Sequence, residues 1–301
     1  MSAPQVHVAP SVEWAEQAVR AGGGEACPAS HHLDGVIWCG DEPEQLELLL
    51  ENTSASWIQL TSTGVDAYLH LINDNRLWTC ARGAFAEPVA ELALGMILGL
   101  RRRLVSYARR DHWSAREGRT LHRASVTVIG GGGIAQSLLR LLRPFNCATA
   151  VVNTSGRAVD GADRTYSASE LEAAVTGADV VVVACPLTPS TIGVVNADLL
   201  GLLAPGALVI NVGRGAHVVT ADLLSALDSG HVGGAGLDVT DPEPLVDGHP
   251  LWCRDNVIIT PHTGNTADMI PPLVGPLVSE NVRRLRHGED LLGVVDQIGG
   301  Y

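Results

Sequence analysis

Three residues of different chemistry stand just beyond apolar runs in the second half of the chain. Arg214 lies in Asn211-Val212-Gly213-Arg214-Gly215, Glu243 in Asp241-Pro242-Glu243-Pro244, and His262 in Pro261-His262-Thr263-Gly264. An arginine in a glycine-flanked turn can offer its planar fork to a carboxylate. A histidine can give or take a proton near neutral pH, and a neighbouring acid can orient its ring. Asp238, closing Gly236-Leu237-Asp238-Val239, adds a second acid. Taken singly, each has a plain structural explanation as an ion pair, a turn residue or a packed histidine. Gathered at one edge of one sheet, they describe an acid–base site for a small anionic substrate.

A phosphate-binding turn precedes them. Val126 to Ala135 reads V-T-V-I-G-G-G-G-I-A, a β-branched run ending in glycines with a helical pattern directly behind. Gly130, Gly132 and Ala135 fit the dinucleotide fingerprint: one glycine for the turn, one for close approach of a pyrophosphate, and a small residue for helix packing. Free N–H groups at the helix start, around Gly133 and Ile134, would face the phosphates.

The next strand, Ala150–Asn153, should end at the adenosine ribose, where NAD sites place an acid. Here the chain reads Asn153-Thr154-Ser155-Gly156-Arg157, with no acid before Asp160. A carboxylate ~4 Å from a 2′-phosphate costs ~4 kcal/mol per charge pair at an effective dielectric of ~20. Its replacement by Asn153, with Arg157 close behind, favours NADP over NAD.

The elements that must carry these turns alternate between strand and helix. In the first third, strands are expected at Gln5–Ala9, Gly35–Cys39 and Ser56–Leu60, with helices at Val12–Arg20 and Glu44–Glu51, the latter capped by Asp41. Pro88 opens a long helix reaching about Tyr107, whose arginines at 101–103 and 109–110 read as a solvated end. Six further strands are expected, 125–129, 149–153, 180–184, 208–212, 234–239 and 257–260, with helices at 134–143, 169–176, 198–203 and 220–229. This alternation makes an α/β protein of two domains, the second a doubly wound parallel sheet of six strands. Pro271 and Pro272 break the pattern, a helix follows over Leu273–Gly288, and a tail runs from Leu291 to Gly300. The division expected is 1–93 and 270–301 for the first domain and 94–269 for the dinucleotide-binding domain.

Composition excludes other classes. A formal net charge of −13 opposes nucleic-acid binding, and 46% hydrophobic with 18% charged residues describes a globular chain. Cys27, Cys39, Cys80, Cys147, Cys185 and Cys253 show no C-x-x-C spacing, so neither a zinc site nor a disulfide framework is expected. Without a signal pattern or a membrane-length apolar run, a cytoplasmic protein is expected.

The chain resembles the D-isomer-specific 2-hydroxyacid dehydrogenases over nearly its whole length. Gly130–Ala135 is similar to the family's G-x-G-x-x-G, with alanine at the last position. Cys185-Pro186-Leu187-Thr188-Pro189-Ser190-Thr191 resembles its P-L-T-P-x-T segment, Asn211–Gly215 its N-x-x-R-G, Leu237–Leu245 its L-D-V-x-x-x-E-P-L, and Pro261-His262 its P-H pair. The resemblance implies a Rossmann-type domain with a smaller flavodoxin-like α/β substrate domain. It implies catalysis by Arg214, Glu243 and His262, and cofactor contacts from Pro186, Thr191, Val212, Asp238 and Gly264. Gly64 and Val65, in Ser62-Thr63-Gly64-Val65, are implied to present N–H groups to the substrate carboxylate. A homodimer is implied as well. The activity implied is hydride transfer between NAD(P)H and a small 2-keto acid of the glyoxylate or hydroxypyruvate type. Two other readings stay open. Oxidation of 3-phosphoglycerate needs added cations near the Gly64 loop, where Arg76 and Arg82 stand, and a dinucleotide-sensing protein would need no catalytic trio. The chain departs from the family at Asn153 and around Thr79-Cys80, where a polar residue is usual.

Overall fold

Short runs of valine, isoleucine and tryptophan, each closed by a turn and a helix, give this chain two parallel sheets. The computed structural model describes residues 2–72 and 76–296. It divides into two compact units, 1–85 with 265–301 and 86–264. The tail expected over 291–300 is described as far as Asp296, and its remainder lies outside the described residues.

The first unit holds β1 (Gln5–Ala9), β2 (Glu25–Ala26), β3 (Gly35–Trp38), β4 (Trp57–Leu60) and β5 (Leu77–Thr79), with α1 (Glu13–Ala21) and α2 (Pro43–Glu51). The strands are parallel in the order β2-β1-β3-β4-β5, the flavodoxin-type winding. Five strands stand where three were expected, because β2 and β5 are too short to show an alternating pattern. Asp41 does not cap α2. Glu42 holds the cap position without a side-chain bond, and Pro43 in the first turn supplies the preset φ.

The second unit begins with α3 (Ala86–Arg101) and α4 (Leu104–Ala108). These were expected as one helix, but Arg103 takes a left-handed φ of 57° and divides them. Arg101 is not solvated either. It is buried, with Nε donating to the Thr120 carbonyl at 2.9 Å.

The strands of this unit are β6 (Ser125–Ile129), β7 (Ala148–Asn153), β8 (Arg164–Ser167), β9 (Val180–Val183), β10 (Ala207–Asn211), β11 (Val232–Leu237) and β12 (Val257–Ile259). Between them run α5 (Gly133–Leu142), α6 (Leu171–Val175), α7 (Ala197–Leu202) and α8 (Thr220–Asp228). All seven strands are parallel, in the order β12-β11-β10-β9-β6-β7-β8. The expected count of six is corrected by β8, a half-exposed edge strand of Arg-Thr-Tyr-Ser that carries no apolar signal. Val180, Val181, Val182 and Val183 are fully buried, as a strand covered on both faces requires. The winding reverses between β6 and β9, so the crevice beyond their carboxyl ends is the expected ligand position.

The chain then returns to the first unit through α9 (Ile270–His287). Pro271 and Pro272 do not precede this helix but form its first turn, where a missing N–H removes only an orphan donor. Among the described residues no helix is long and apolar enough to cross a membrane.

Candidate active site

The glycine turn after β6 has the form a pyrophosphate cradle needs. Gly130 adopts a φ of +117°, and a Cβ there would collide with the Ala184 carbonyl at the end of β9. Its N–H donates to the Val152 carbonyl at 2.8 Å, which pins the turn against β7. Nothing lies within 4 Å of where a Cβ on Gly132 would stand, and no side chain caps α5 at that residue. Gly133 and Ile134 therefore begin a helix with no side-chain cap at its N-terminus, and fully buried Ala135 lets that helix pack closely. These features fit a dinucleotide phosphate.

The turn after β7 is built by Asn153. Its Oδ1 accepts from the Ser155 N–H at 3.1 Å, and its Nδ2 donates to the Arg157 carbonyl at 2.7 Å. The Ser155 hydroxyl accepts from the Arg157 N–H at 3.3 Å. Thr154, Ser155 and Arg157 are exposed on this loop. The asparagine thus shapes the turn without adding negative charge to it.

Arg214 follows β10 in a turn held from both sides. Asn211, fully buried, donates from Nδ2 to the Arg214 carbonyl at 2.7 Å and accepts the Gly213 N–H at 3.1 Å. The Arg214 N–H donates to Nδ1 of His217 at 3.0 Å, and His217 is itself fully buried. The Arg214 guanidinium donates from Nη1 to the Gly213 carbonyl at 2.8 Å and stays partly exposed. Val212 continues the strand line, donating to the Val183 carbonyl at 3.1 Å.

The loop after β9 closes on itself. The Thr191 hydroxyl donates to the Pro186 carbonyl and accepts the Thr188 N–H, both at 2.8 Å. Burial pushes the Cys185 thiol up to about 11, so it remains a neutral thiol at physiological pH.

Asp238 and His262 are joined through the turn that follows β12. The Asp238 carboxylate is buried and accepts from the Thr260 hydroxyl at 2.6 Å and from the N–H groups of Thr263 and Gly264 at 2.8 and 2.9 Å. His262 between them takes a left-handed φ of 52°. Its Nδ1 lies 2.7 Å from Oε1 of Glu243, and both side chains are nearly half-exposed. A carboxylate only accepts, so Nδ1 carries the proton of that bond and Nε2 is left for proton exchange.

Sequence reasoning singled out Arg214, Glu243, Asp238 and His262 but missed the residues that hold them. Asn211 was visible only as a letter of the N-x-x-R-G motif. Thr260, Thr263 and His217 carry no signal that separates them from ordinary turn or core positions.

The expected residues of the first unit sit in a separate loop. Val65 is fully buried at the head of a short turn over Asp66–Tyr68, and the Ser62 hydroxyl donates to the Gly64 carbonyl at 3.0 Å. The Ser62–Val65 loop is tied down by the Thr63 hydroxyl, which donates to the Ala81 carbonyl at 3.0 Å. Arg76 donates from Nε to the Ala55 carbonyl at 3.1 Å and from Nη2 to the Leu50 and Thr53 carbonyls at 3.0 and 3.1 Å. Burial pushes the Cys80 thiol up.

A nucleotide cradle, an arginine turn and a histidine–glutamate pair at the carboxyl edge of a doubly wound sheet define a nicotinamide-dependent oxidoreductase of the hydroxyacid class. The model of the D-isomer-specific 2-hydroxyacid dehydrogenase NAD-binding domain matches residues 94–264, and the chain belongs to that family. A Corynebacterium melassecola protein, named as an uncharacterized protein in the proB 3′ region, is 39% identical over 291 residues, covering 94% of this chain and 95% of that one. Glyoxylate/hydroxypyruvate reductase A of Serratia proteamaculans is 32% identical over 219 residues, 72% of this chain and 69% of its own. The crystal structure of the NADPH-dependent glyoxylate/hydroxypyruvate reductase of Sinorhizobium meliloti, in complex with NADP and sulfate, superposes with a TM-score of 0.83 at 27% identity over the whole of both chains. The protein is thus an NAD(P)-dependent 2-hydroxyacid dehydrogenase, an enzyme of hydride transfer between a nicotinamide dinucleotide and a 2-keto acid or its 2-hydroxy acid.

Proposed function

We propose that this enzyme reduces small 2-keto acids of the glyoxylate and hydroxypyruvate type, with NADPH as the preferred cofactor. The observation that carries the reading is the 2.7 Å bond from His262 Nδ1 to Glu243 Oε1, which leaves Nε2 free to deliver a proton. Arg214 binds the substrate carboxylate and polarises the keto oxygen. Bound in the Gly130–Ala135 cradle, the dinucleotide supplies hydride to the carbonyl carbon. His262 gives its Nε2 proton to the oxygen as negative charge develops there, and Glu243 stays ionised and holds the ring. For Gly64 and Val65 the family resemblance implies backbone N–H groups offered to the substrate carboxylate.

Cofactor preference rests on the loop after β7. Asn153 brings no charge, while exposed Arg157, with the hydroxyls of Thr154 and Ser155, suits a 2′-phosphate. Substrate size rests in part on Arg76, whose guanidinium is committed to the carbonyls of residues 50, 53 and 55 and so is poorly disposed to bind a phosphate. That favours glyoxylate and hydroxypyruvate over 3-phosphoglycerate. A cytoplasmic homodimer, which the family resemblance implies, completes the reading.

The test is loss of NADPH or NADH absorbance against glyoxylate, hydroxypyruvate, pyruvate and 3-phosphohydroxypyruvate. Turnover of the first two with NADPH is expected. Preference for the phosphorylated acid, or no turnover of any, overturns the assignment.

A further inference from the structure

His217 is fully buried and belongs to none of the roles assigned above, yet both of its ring nitrogens are engaged. Nδ1 lies 3.0 Å from the Arg214 backbone nitrogen, and Nε2 lies 3.2 Å from the Pro186 carbonyl oxygen. A backbone N–H can only donate and a carbonyl can only accept. One neutral tautomer meets both demands, with Nδ1 bare and the proton on Nε2. Room for the ring is reserved on its Nδ1 side, where a Cβ on Gly213 would stand 2.9 Å from that nitrogen. Cys185 Sγ lies 3.6 Å from Nε2.

The two partners belong to different parts of the site. Arg214 is the carboxylate grip. Its backbone is clamped by His217 on the N–H and by Asn211 Nδ2 on the carbonyl, at 2.7 Å. Pro186 opens the loop after β9, and its carbonyl also accepts the Thr191 hydroxyl at 2.8 Å. A single imidazole therefore bridges the turn that carries Arg214 and the loop that the family places beside the nicotinamide.

We propose that His217 is a positioning residue that sets Arg214 relative to the Pro186–Thr191 loop, through Nδ1 on the one side and Nε2–H on the other. The inference rests on the reading of Arg214 as the carboxylate-binding group. Its two halves separate by substitution. In His217→Asn the amide oxygen reaches about as far as Nδ1 and can accept the Arg214 N–H, but the Pro186 carbonyl loses the ring's N–H and keeps the Thr191 hydroxyl. In His217→Gln the amide nitrogen reaches about as far as Nε2 and can serve Pro186, but the Arg214 N–H is left unpaired. His217→Leu removes both.

Two affinities read the outcome: that of oxamate, a non-reducible isostere of a 2-keto acid, for the NADPH complex, and that of NADPH itself. Leaving a buried N–H unpaired is expected to weaken oxamate about tenfold to a hundredfold in the Leu and Gln variants. The Asn variant should keep most of the oxamate affinity. NADPH affinity should follow the opposite order, retained in Gln and weakened in Asn and Leu. In the wild-type protein, ¹⁵N spectra of the histidine rings should place the His217 proton on Nε2. Equal behaviour of the Asn and Gln variants, wild-type oxamate binding by the Leu variant, or a proton on Nδ1 overturns the proposal. If the wild type binds oxamate but turns over no 2-keto acid, the proposed reaction fails while the affinities still judge His217. If the wild type binds no oxamate, Arg214 is not the grip and this inference falls with it.

Discussion

The backbone N–H of His262 donates to the carbonyl oxygen of Asp238 at 2.8 Å, while the Asp238 carboxylate takes the N–H groups of Thr263 and Gly264. One buried residue thereby grips the chain at the histidine and just beyond it. That grip holds His262 at a φ of 52°, a conformation costing about 1 kcal/mol or more outside glycine. The expected role of Asp238 at the cofactor is therefore joined to a second one, holding His262, the proposed proton donor, in place.

Asp238→Asn tests that second role. An amide offers one acceptor and one donor, so an NH₂ group must face the Thr260 hydroxyl and Thr263 N–H or the Gly264 N–H. Stability should fall by about 1–3 kcal/mol, the penalty of leaving a buried donor unpaired. Turnover should fall by about 10²-fold, because ~1 Å of displacement at a reacting group has effects of that size. Denaturant unfolding and steady-state kinetics read the two effects. Unchanged turnover in a destabilised protein would show that Asp238 supports the fold but not His262.

His262→Ala should lower kcat by roughly 10²–10⁴-fold, the range of general acid–base assistance, with NADPH affinity retained. Glu243→Gln keeps a hydrogen-bonding group beside Nδ1 but removes the charge, so its loss should be smaller than that of Glu243→Ala. Fluorescence titration of NADPH separates binding from chemistry. A His262→Ala enzyme turning over at the wild-type rate would move the proton donor elsewhere.

How much of this was legible in the sequence follows from what each residue signals. Valine runs and glycine turns encode strand and turn through sterics, so β6, β9 and the Gly130 cradle could be read directly. β8 could not, since Arg164–Ser167 pairs its backbone on an edge where side chains need not be apolar. The division of α3 from α4 at Arg103 left no glycine or proline to mark it. At the site, Arg214, Glu243 and His262 announce chemistry by residue type. The groups that hold them do not: Asn211 and His217 bond Arg214 within one turn, where residue type alone gives no sign of the pairing, and Thr260 meets Asp238 only once β11 and β12 lie side by side.

Arg157→Ala should raise the KM for NADPH and leave that for NADH nearly unchanged, since the proposed partner of the guanidinium is the 2′-phosphate that only NADPH carries. Asn153→Asp should move preference further toward NADH. The new carboxylate can still accept the Ser155 N–H, now held by Oδ1 at 3.1 Å, but it repels a 2′-phosphate. Kinetics with both cofactors at fixed glyoxylate decide the matter. Equal losses for the two cofactors in Arg157→Ala would remove the arginine from the phosphate role.

In the first unit, a buried polar network ties α9 to the sheet, and its disruption should be felt in stability. Asn281, fully buried on α9, donates from Nδ2 to Gln59 Oε1 at 2.8 Å and to the Leu292 carbonyl at 3.0 Å, and accepts the Leu292 N–H at 2.8 Å. Gln59, also fully buried, accepts the Thr79 hydroxyl at 2.8 Å, and that hydroxyl accepts Trp57 Nε1–H at 2.8 Å. Asn281→Leu keeps the branched shape but leaves the Leu292 N–H and carbonyl and one Gln59 acceptor site unpaired. The loss should be about 2–4 kcal/mol, since each buried unpaired group costs about 1–3 kcal/mol and some will recruit water. Because Gln59 and Asn281 share a bond, Gln59→Leu combined with Asn281→Leu should lose less than the two single variants added together, by about 0.5–3 kcal/mol. Denaturant unfolding of the four proteins measures this coupling. Strict additivity would mean that the 2.8 Å contact joins neighbours without holding the helix to the sheet.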